Sequence, residues 1–375
     1  MALDAWLALL YAAQQLSTGD WLDGLKRFGS AEALVAEAPR LLSGKAGAQE
    51  VIARLRAPDE PTLEHWRAWL AQPRRTLVTY GSAAYPPRLA DLKDAPLALW
   101  ADGDPELLAG PQLAIVGSRS PTTDGSQTAE AFARFLAQRG LTITSGLATG
   151  IDGASHRGAV DALGGTIAVL GGGLDVIFPR VHAPLAGLIA ARGLLVSEYA
   201  PGVKPQKAFF PRRNRIIAGL SLGTLVVEAT RRSGSLITAG HATDYGREVF
   251  AIPGSIHNPL ARGCHLLIRE GAKLVEEAGD VLVELAPQLE AAGYTAPSVE
   301  PAPPESATRS ALADDPSYQK LLKALGFSPT PIAELSARAH LTTAELSSML
   351  LLLELEGLVE ALPGGRYSRL GSQKN

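Results

Sequence analysis

Basic residues crowd the stretch from Lys204 to Arg232, which holds seven Lys or Arg side chains and one acidic residue, Glu228. The whole chain has a formal net charge of -3, so this positive charge is local. In its central segment, FFPRRNRIIAGLS, we expect Arg213 and Arg215 to neutralise phosphates and Asn214 to donate hydrogen bonds. The simpler alternative is that such a run of charge is only a solvated face.

Two polar or aromatic features flank these cations. The turn Ser233-Gly234-Ser235 is expected to donate further hydrogen bonds. Phe210, next to Phe209, is a candidate for stacking on a nucleobase, as proteins that bind single-stranded nucleic acid require. Aromatic residues beside an apolar helix are more often core, and that alternative stays open here.

A second polar turn lies earlier in the chain, where the apolar stretch LAIVG ends at Gly117-Ser118-Arg119. A strand, a small-residue turn and a helix in this order favour anion binding, because glycine admits a ligand to the backbone and the helix N-terminus offers free amides. Asp124, with Gln127 three residues on, is the predicted N-cap. The GxGxxG fingerprint of dinucleotide sites is missing, so no cofactor is predicted. A tight connection without a ligand is the alternative.

A catalytic interpretation depends on five residues. Asp152 and His156 have helical i, i+4 spacing, Glu198 and Glu228 are expected to end strands, and Asp175 follows a glycine-rich turn. Together they contain the groups of a general acid and base. However, metal-ligand spacing, a nucleophile elbow and a Walker lysine are all missing from the sequence. We therefore predict that these acids hold turns, and that the chain has no catalytic residue and no metal site.

The elements that must position these residues alternate between strands and helices from Arg75 onward. This order predicts an α/β fold with a doubly wound parallel sheet, covered on both faces. In such sheets the ligand lies outside the carboxyl ends of the strands. The nine predicted strands are residues 77–80, 97–100, 113–117, 141–145, 166–170, 194–198, 224–229, 248–252 and 273–277.

The rest of the chain suggests three further regions around the sheet domain, which is predicted to span 75–290. Residues 1–74 are predicted to form a small helical domain of the SAM or helix-hairpin-helix kind. Residues 291–314 are rich in Ala and Pro and are predicted to be a linker. Residues 315–375 are predicted to form three helices and a hairpin, as in a winged helix.

The predicted third helix of this winged helix lacks Lys and Arg but carries Glu345, Glu354 and Glu356. A helix in the major groove of DNA needs cations. We therefore favour contact with protein or domain packing over a transcription regulator that binds duplex DNA through this domain.

Composition limits the class of protein. With 46% hydrophobic residues the chain has enough apolar material for packed cores. Apolar runs of about 18 residues, which a membrane span requires, are missing from the sequence. Cys264 is the single cysteine and has no partner for an internal disulfide. A cytoplasmic protein without membrane contact is predicted.

Eight ordered sequence blocks resemble the DNA-processing protein A family, also called DprA or Smf. A series of eight blocks in one order is far more specific than any single glycine-rich turn. The blocks are AIVGSRSPT (114–122), SGLATGIDGASHRGA (145–159), TIAVLGGGLDVIFPR (166–180), LLVSEYAPG (194–202), FPRRNRIIAGLS (210–221), VVEATRRSGSLITA (226–239), GREVFAIPGSI (246–256) and GCHLLIREGA (263–272).

The resemblance implies an extended Rossmann-like domain that binds single-stranded DNA, forms a homodimer and loads the RecA recombinase during natural transformation. It implies no catalytic activity. Ser118, Arg119, Arg213, Asn214 and Arg215 fall on the family's basic DNA pocket, with Arg180 as a further candidate. The alternative function is a nucleotide-processing enzyme with a similar fold, of the nucleoside-monophosphate phosphoribohydrolase type. The loop PGGxGT of that family is missing, and ATRRSGSLITA stands in its expected place.

Overall fold

The computed structural model describes residues 2–13, 18–44, 47–294, 315–325 and 329–370. The chain divides into two compact units. One is made of residues 1–121 and 128–297, and the other of residues 298–375 together with residues 122–127. The predicted linker is described only at its beginning, up to residue 294, and the remainder of it lies outside the described residues.

Five helices come first, and from Arg75 onward strands and helices alternate, as predicted. The helices are α1 (Ala2–Ala12), α2 (Thr18–Phe28), α3 (Ala31–Leu41), α4 (Ala48–Arg56), α5 (Glu60–Leu70), α6 (Pro87–Ala90), α7 (Thr123–Gln138), α8 (Ile151–Ala159), α9 (Ala183–Arg192), α10 (Phe209–Leu220), α11 (Ser235–Asp244), α12 (Arg262–Arg269) and α13 (Ala278–Ala291). The strands are β1 (Arg75–Thr79), β2 (Ala98–Gly103), β3 (Gln112–Gly117), β4 (Thr142–Ser145), β5 (Thr166–Val169), β6 (Leu194–Ser197), β7 (Gly223–Val227), β8 (Glu248–Ala251) and β9 (Lys273–Leu274).

All nine strands join one sheet in the order β1-β2-β6-β5-β4-β3-β7-β8-β9. The seven strands from β6 to β9 in this order pair in parallel. The predicted parallel sheet needs one correction, because β1 and β2 run antiparallel to each other and β2 runs antiparallel to β6. The direction of a strand depends on the path of its connection, which the apolar pattern of the strand does not reveal.

The central strand β3 is buried on both faces, as expected for a doubly wound sheet. Leu113 and Ile115 pack into the apolar core formed with α7, α8 and α13. Ala114 and Val116 belong to the core on the other side, with α10 and α11. Since side chains alternate across a strand, this pattern fixes β3 in the middle of the domain.

The first five helices pack as a small bundle, which agrees with the helical character predicted for residues 1–74. The Ser30 hydroxyl accepts a hydrogen bond from the Ala33 amide and caps α3. Trp66 and Trp69 are buried, and both contact Trp100 of β2 edge-on, with ring centroids 5.4 and 5.7 Å apart. The bundle therefore shares a core with the edge of the sheet and lies in the same compact unit.

The second unit contains the predicted winged helix. Its helices are α14 (Pro316–Leu325), α15 (Ile332–Ala339) and α16 (Thr343–Leu355), followed by strands β11 (Val359–Leu362) and β12 (Arg366–Arg369), with β10 (Thr330–Pro331) beside β12. Thr342 and Glu345 form the capping box of α16, as predicted, and three leucines of α16 fill the core: Leu346, Leu350 and Leu353.

The predicted N-cap of α7 was wrong. The helix begins at Thr123, and the Thr122 hydroxyl accepts the hydrogen bond from the Gly125 amide at 3.0 Å. Thr122 therefore stands at the N-cap position that we assigned to Asp124.

No helix among the described residues is both long and apolar enough to cross a lipid bilayer.

Candidate nucleic-acid interface

The order of the strands reverses at β3, which lies between β4 and β7. The turns after β3 and β7 therefore leave the sheet at a topological switch point, the place where open α/β sheets bind their ligands. The turn after β3 is Gly117-Ser118-Arg119, and the chain after β7 leads to Ser233-Gly234-Ser235. Gly117 at the end of β3 lies beside Val227 at the end of β7, so the two turns leave the ends of neighbouring strands although they lie more than a hundred residues apart in the sequence. We refer to the carboxyl edge of the sheet at this point as the rim.

Glycines allow backbone segments to pack closely at the rim. A Cβ atom on Gly117 would lie 1.9 Å from the Val227 carbonyl oxygen, and one on Gly150 would lie 2.3 Å from the Ser118 carbonyl oxygen. Gly150 also has a φ of +81°, which glycine adopts readily. The turn containing Ser118 is further held by the hydrogen bond from the Ile151 amide to the Ser118 carbonyl, at 3.1 Å.

Replacing Gly117 with Ala is expected to destabilise the protein by about 1–3 kcal/mol, because the new methyl group overlaps a strand carbonyl. Chemical denaturation measures this loss. Gly187→Ala is the matched control, since Gly187 lies inside α9 and a Cβ atom added there would have no atom within 4 Å. There Ala is expected to leave stability unchanged or to raise it slightly. Equal stability of the two variants would contradict the close approach at Gly117.

Arg119 and two phenylalanines form a cationic and aromatic surface at the rim. The Arg119 guanidinium lies over the Phe210 ring, 5.8 Å from its centroid. Phe178 contacts Phe210 at a centroid distance of 5.6 Å and is 53% exposed. Arg119 itself is exposed. This arrangement offers a cation for a phosphate beside an aromatic face for a base.

Arg213 lies at the same edge but is buried, with 3% exposure. Its Nη1 atom donates to the Gly146 carbonyl at 2.7 Å and to the Val169 carbonyl. Burial lowers the pKa of Arg213 to about 10, and Asp152 opposes the shift. The residue therefore stays charged at neutral pH and ties α10 to the ends of β4 and β5.

Arg215 is also buried, with 4% exposure. Its Nη2 atom donates to Glu198 at 2.5 Å, and its Nε atom lies 3.4 Å from Asp94. The neighbouring Arg212 is 53% exposed and lies 3.4 Å from the second oxygen of Glu198. Of these two arginines on α10, Arg212 thus has the free surface that a phosphate needs, while Arg215 forms an internal ion pair.

Asn214 connects α10 to the turn that follows β7. Its side-chain amide donates to the Gly234 carbonyl at 3.4 Å. Ser233 and Ser235 share a hydrogen bond between their hydroxyls at 2.7 Å, and Gly234 is exposed. The three residues of this predicted binding turn are therefore held next to α10.

Arg180 adds a further exposed cation to the rim. Arg180 begins a short 3-10 helix, Arg180–His182, two residues after Phe178. The ring of His182 contacts the Leu147 carbonyl oxygen at 2.9 Å, which ties this segment to the end of β4. Phe178 and Arg212 were not predicted from the sequence as contacts. Phe178 could have been found from its position as an aromatic residue directly before Pro179. Arg212 could have been found from the RRNR pattern, in which it is the first arginine.

Three acidic residues of the catalytic interpretation form hydrogen bonds or ion pairs with other groups of the protein. Asp152 is buried, which raises its pKa, and it accepts a hydrogen bond from the Ala148 amide at 3.3 Å. Asp175 accepts from the Gly202 amide at 2.9 Å, and Glu198 binds Arg215. Each of these three carboxylates holds a turn or a helix. Within the described residues, His, Cys, Asp and Glu form no cluster that would hold a metal ion.

His156 is buried below the rim. The Thr166 hydroxyl donates to the Ile143 carbonyl, so His156 Nδ1 must carry the proton that it shares with Thr166 at 2.7 Å. The other ring nitrogen has no hydrogen-bond partner among the described residues. Burial, assisted by the nearby His182 and Arg213, lowers the pKa of His156 to about 3.

Acid should therefore destabilise the protein through His156. Because the pKa is lower in the folded than in the unfolded state, stability is complete above about pH 6.5 and declines as the pH falls toward 3. Between pH 7 and pH 4.5 the expected loss is roughly 2–3 kcal/mol. Urea unfolding at the two pH values measures it in the wild type and in His156→Gln, which cannot titrate. The same pH dependence in both proteins would contradict this assignment.

Comparison with known proteins identifies the family. A family model described as DNA recombination-mediator protein A matches residues 76–286, and one described as DprA winged helix domain matches residues 301–365. Protein Smf of Escherichia coli (strain K12) is 45% identical over 312 residues, which cover 82% of this chain and 81% of the relative. DNA processing protein DprA of Streptococcus pneumoniae is 50% identical over 200 residues, or 53% of this chain and 71% of the relative.

Two solved structures agree with this result. The X-ray structure of DprA from Streptococcus pneumoniae superposes with a TM-score of 0.66 at 38% identity, covering 74% of this chain and 97% of that one. DNA processing protein A from Helicobacter pylori superposes with a TM-score of 0.52 at 31% identity, covering 57% and 97%. On the strength of both domain matches and these relatives, the chain belongs to the DNA recombination-mediator protein A family, also called DprA or Smf.

Proposed function

We propose that this protein is a non-catalytic recombination mediator that binds single-stranded DNA at the rim. The observation that carries the proposal is the set of exposed cations, the contacting phenylalanines Phe178 and Phe210 and the two polar turns at the switch point of the sheet. The structure from Helicobacter pylori is described as showing a single-stranded DNA binding mode of that protein, which supports the same ligand here.

The proposed contacts divide into two groups. Arg119, Arg180 and Arg212 are exposed and are proposed to bind phosphates, with Phe210 and Phe178 stacking on a base. Gly117, Ser118 and the turn Ser233-Gly234-Ser235 offer hydrogen-bond donors.

Arg213, Asn214 and Arg215 act differently in this proposal. Arg213 and Arg215 are buried with protein partners, and Asn214 donates to Gly234. We assign to them the positioning of α10 and the neighbouring turns.

The biological part of the proposal follows from membership of the family. In it the protein protects incoming single strands in the cytoplasm during natural transformation, acts as a homodimer through its Rossmann-like domain and loads RecA. Light scattering measures the stoichiometry in solution. RecA assembly on a coated strand, with and without this protein, tests the loading step.

The direct test is the anisotropy of a fluorescent oligothymidylate, compared with duplex DNA, between about 50 and about 200 mM salt. We expect tighter binding of the single strand and a linear fall of log affinity with log salt. Arg119→Ala should weaken single-strand binding about tenfold near 50 mM salt and flatten the salt slope by about 0.7. Arg134→Ala is the control, because Arg134 is exposed on α7 and paired with Glu130. Unchanged affinity of Arg119→Ala would overturn the proposed site.

A further inference from the structure

The third helix of the winged helix, α16, carries leucines on two opposite sides. Three of them fill the core of this unit: Leu346, Leu350 and Leu353. Three others are 57%, 42% and 76% exposed, in this order: Leu351, Leu352 and Leu355. Each residue advances by about 100° around a helix axis, which places the exposed leucines on the side away from the core. A helix with apolar residues all round its axis is usually buried, so the outer side of α16 is suited to a partner.

The outer side has the residue spacing of a seam between two helices. Ala344, Ser348, Leu351 and Leu355 are all exposed and follow one another at steps of four, three and four residues. This is the heptad spacing of helices that pack side by side. Leu352 lies next to the two leucines of this row. We call these five residues the leucine face of α16, and its geometry suits an amphipathic helix laid along it.

Acidic residues flank the leucine face. Glu354 lies on one side of it and Glu356 on the other, both are exposed, and α16 contains no Lys or Arg. Glu345 is a third carboxylate of this helix, but it accepts a hydrogen bond from the Thr342 amide in the capping box. In coiled coils the charges beside the apolar seam select the partner. Two copies of α16 packed on each other would bring only like charges to the seam, which disfavours a second copy of this chain.

We propose that the leucine face binds an amphipathic helix of another protein, one that carries apolar residues along its seam and Lys or Arg beside them. Burial of the exposed leucines drives the association, and the carboxylates of Glu354 and Glu356 select a basic partner. The same carboxylates repel the phosphates of duplex DNA. The winged helix belongs to the second compact unit, so this inference does not depend on strand binding at the rim.

A labelled peptide of three heptads, with Leu at the two seam positions and Lys at the flanking positions, tests this surface. Its anisotropy with the full chain should show saturable binding, and the same peptide with Glu in place of Lys should bind about tenfold more weakly. Leu351→Ser/Leu355→Ser should weaken binding of the Lys peptide about tenfold, because less apolar surface is buried. Leu163→Ser/Val283→Ser is the matched control, since these two residues are 72% and 75% exposed but lie outside the winged helix.

A reversal of charge tests the same surface with its leucines in place. Glu354→Lys/Glu356→Lys should bind the Glu peptide more tightly than the Lys peptide, and this holds even if the serine variant lowers the melting temperature. The proposal is overturned if the wild type binds both peptides equally, or if Leu351→Ser/Leu355→Ser binds the Lys peptide like the wild type.

Two other occupants of the leucine face have their own readouts. A lower mass of Leu351→Ser/Leu355→Ser in light scattering would show that a second copy covers the face, and a lower affinity of this variant for duplex DNA would show that a nucleic acid does. Either result overturns the proposal. A wild type that fails to bind single strands yet distinguishes the two peptides would contradict the proposed function and support the leucine face.

Discussion

Replacing Arg215 with Ala is expected to lower the free energy of unfolding by about 3–5 kcal/mol. The side chain is 4% exposed and binds Glu198, whose own side chain is 8% exposed. Without Arg215 the Glu198 carboxylate stays buried with Arg212 as its remaining described cation, 3.4 Å away. Urea denaturation at neutral pH measures the loss.

Arg212→Ala is the matched control for this prediction. Both arginines lie on α10 and contact the same carboxylate, but Arg212 is 53% exposed, and a solvated ion pair contributes about 1 kcal/mol or less. The two variants should therefore differ in the property that each loses. Arg215→Ala loses stability, while Arg212→Ala loses affinity for the single strand. If Arg215→Ala is as stable as Arg212→Ala, the buried ion pair does not stabilise the fold as we infer.

The sequence does not predict which of these neighbouring arginines is buried and which is exposed. The pattern RRNR predicts a concentration of cations at the start of a helix, and the structure has it. Which arginine is exposed depends on partners that are distant in the chain: the two carbonyls bound by Arg213 lie 67 and 44 residues away. Burial of a charge is decided by tertiary contacts, which local composition does not contain.

The fold was easier to predict from the sequence than the exposure of these arginines. Short, continuous apolar runs that alternate with helices and glycine-rich turns predict the nine strands, since the strands of a doubly covered sheet are buried on both faces. The same pattern does not reveal the direction of a strand, which is why the reversed strand β2, antiparallel to both β1 and β6, was not predicted. The cap of α7 was misassigned because Thr122 and Asp124 are both suitable cap residues, and only the hydrogen bond to Gly125 decides between them.

The position of the candidate site was predictable for a topological reason. Turns that follow parallel strands gather at one edge of the sheet, so Gly117 and Val227 lie side by side although they belong to distant blocks.

Removing three exposed arginines of the rim together is expected to have the largest effect on function. If Arg119, Arg180 and Arg212 each bind one phosphate, the triple Ala variant should bind single strands about 10³-fold more weakly near 50 mM salt. The slope of log affinity against log salt should fall by about two, since each phosphate contact in a single strand contributes about 0.7. Anisotropy across a salt series measures both quantities.

A change in net charge alone would also weaken binding, and a second triple variant separates that effect. Arg40, Arg134 and Arg192 are surface arginines that each form an ion pair, with Glu37, Glu130 and Asp161 respectively. Their replacement with Ala removes the same number of charges, but Arg192 lies at the opposite edge of the sheet, directly before β6, and Arg40 lies on α3. We expect this control to retain the wild-type salt slope. If both triple variants lose affinity equally, the strand is attracted by overall charge and the rim is not its binding site.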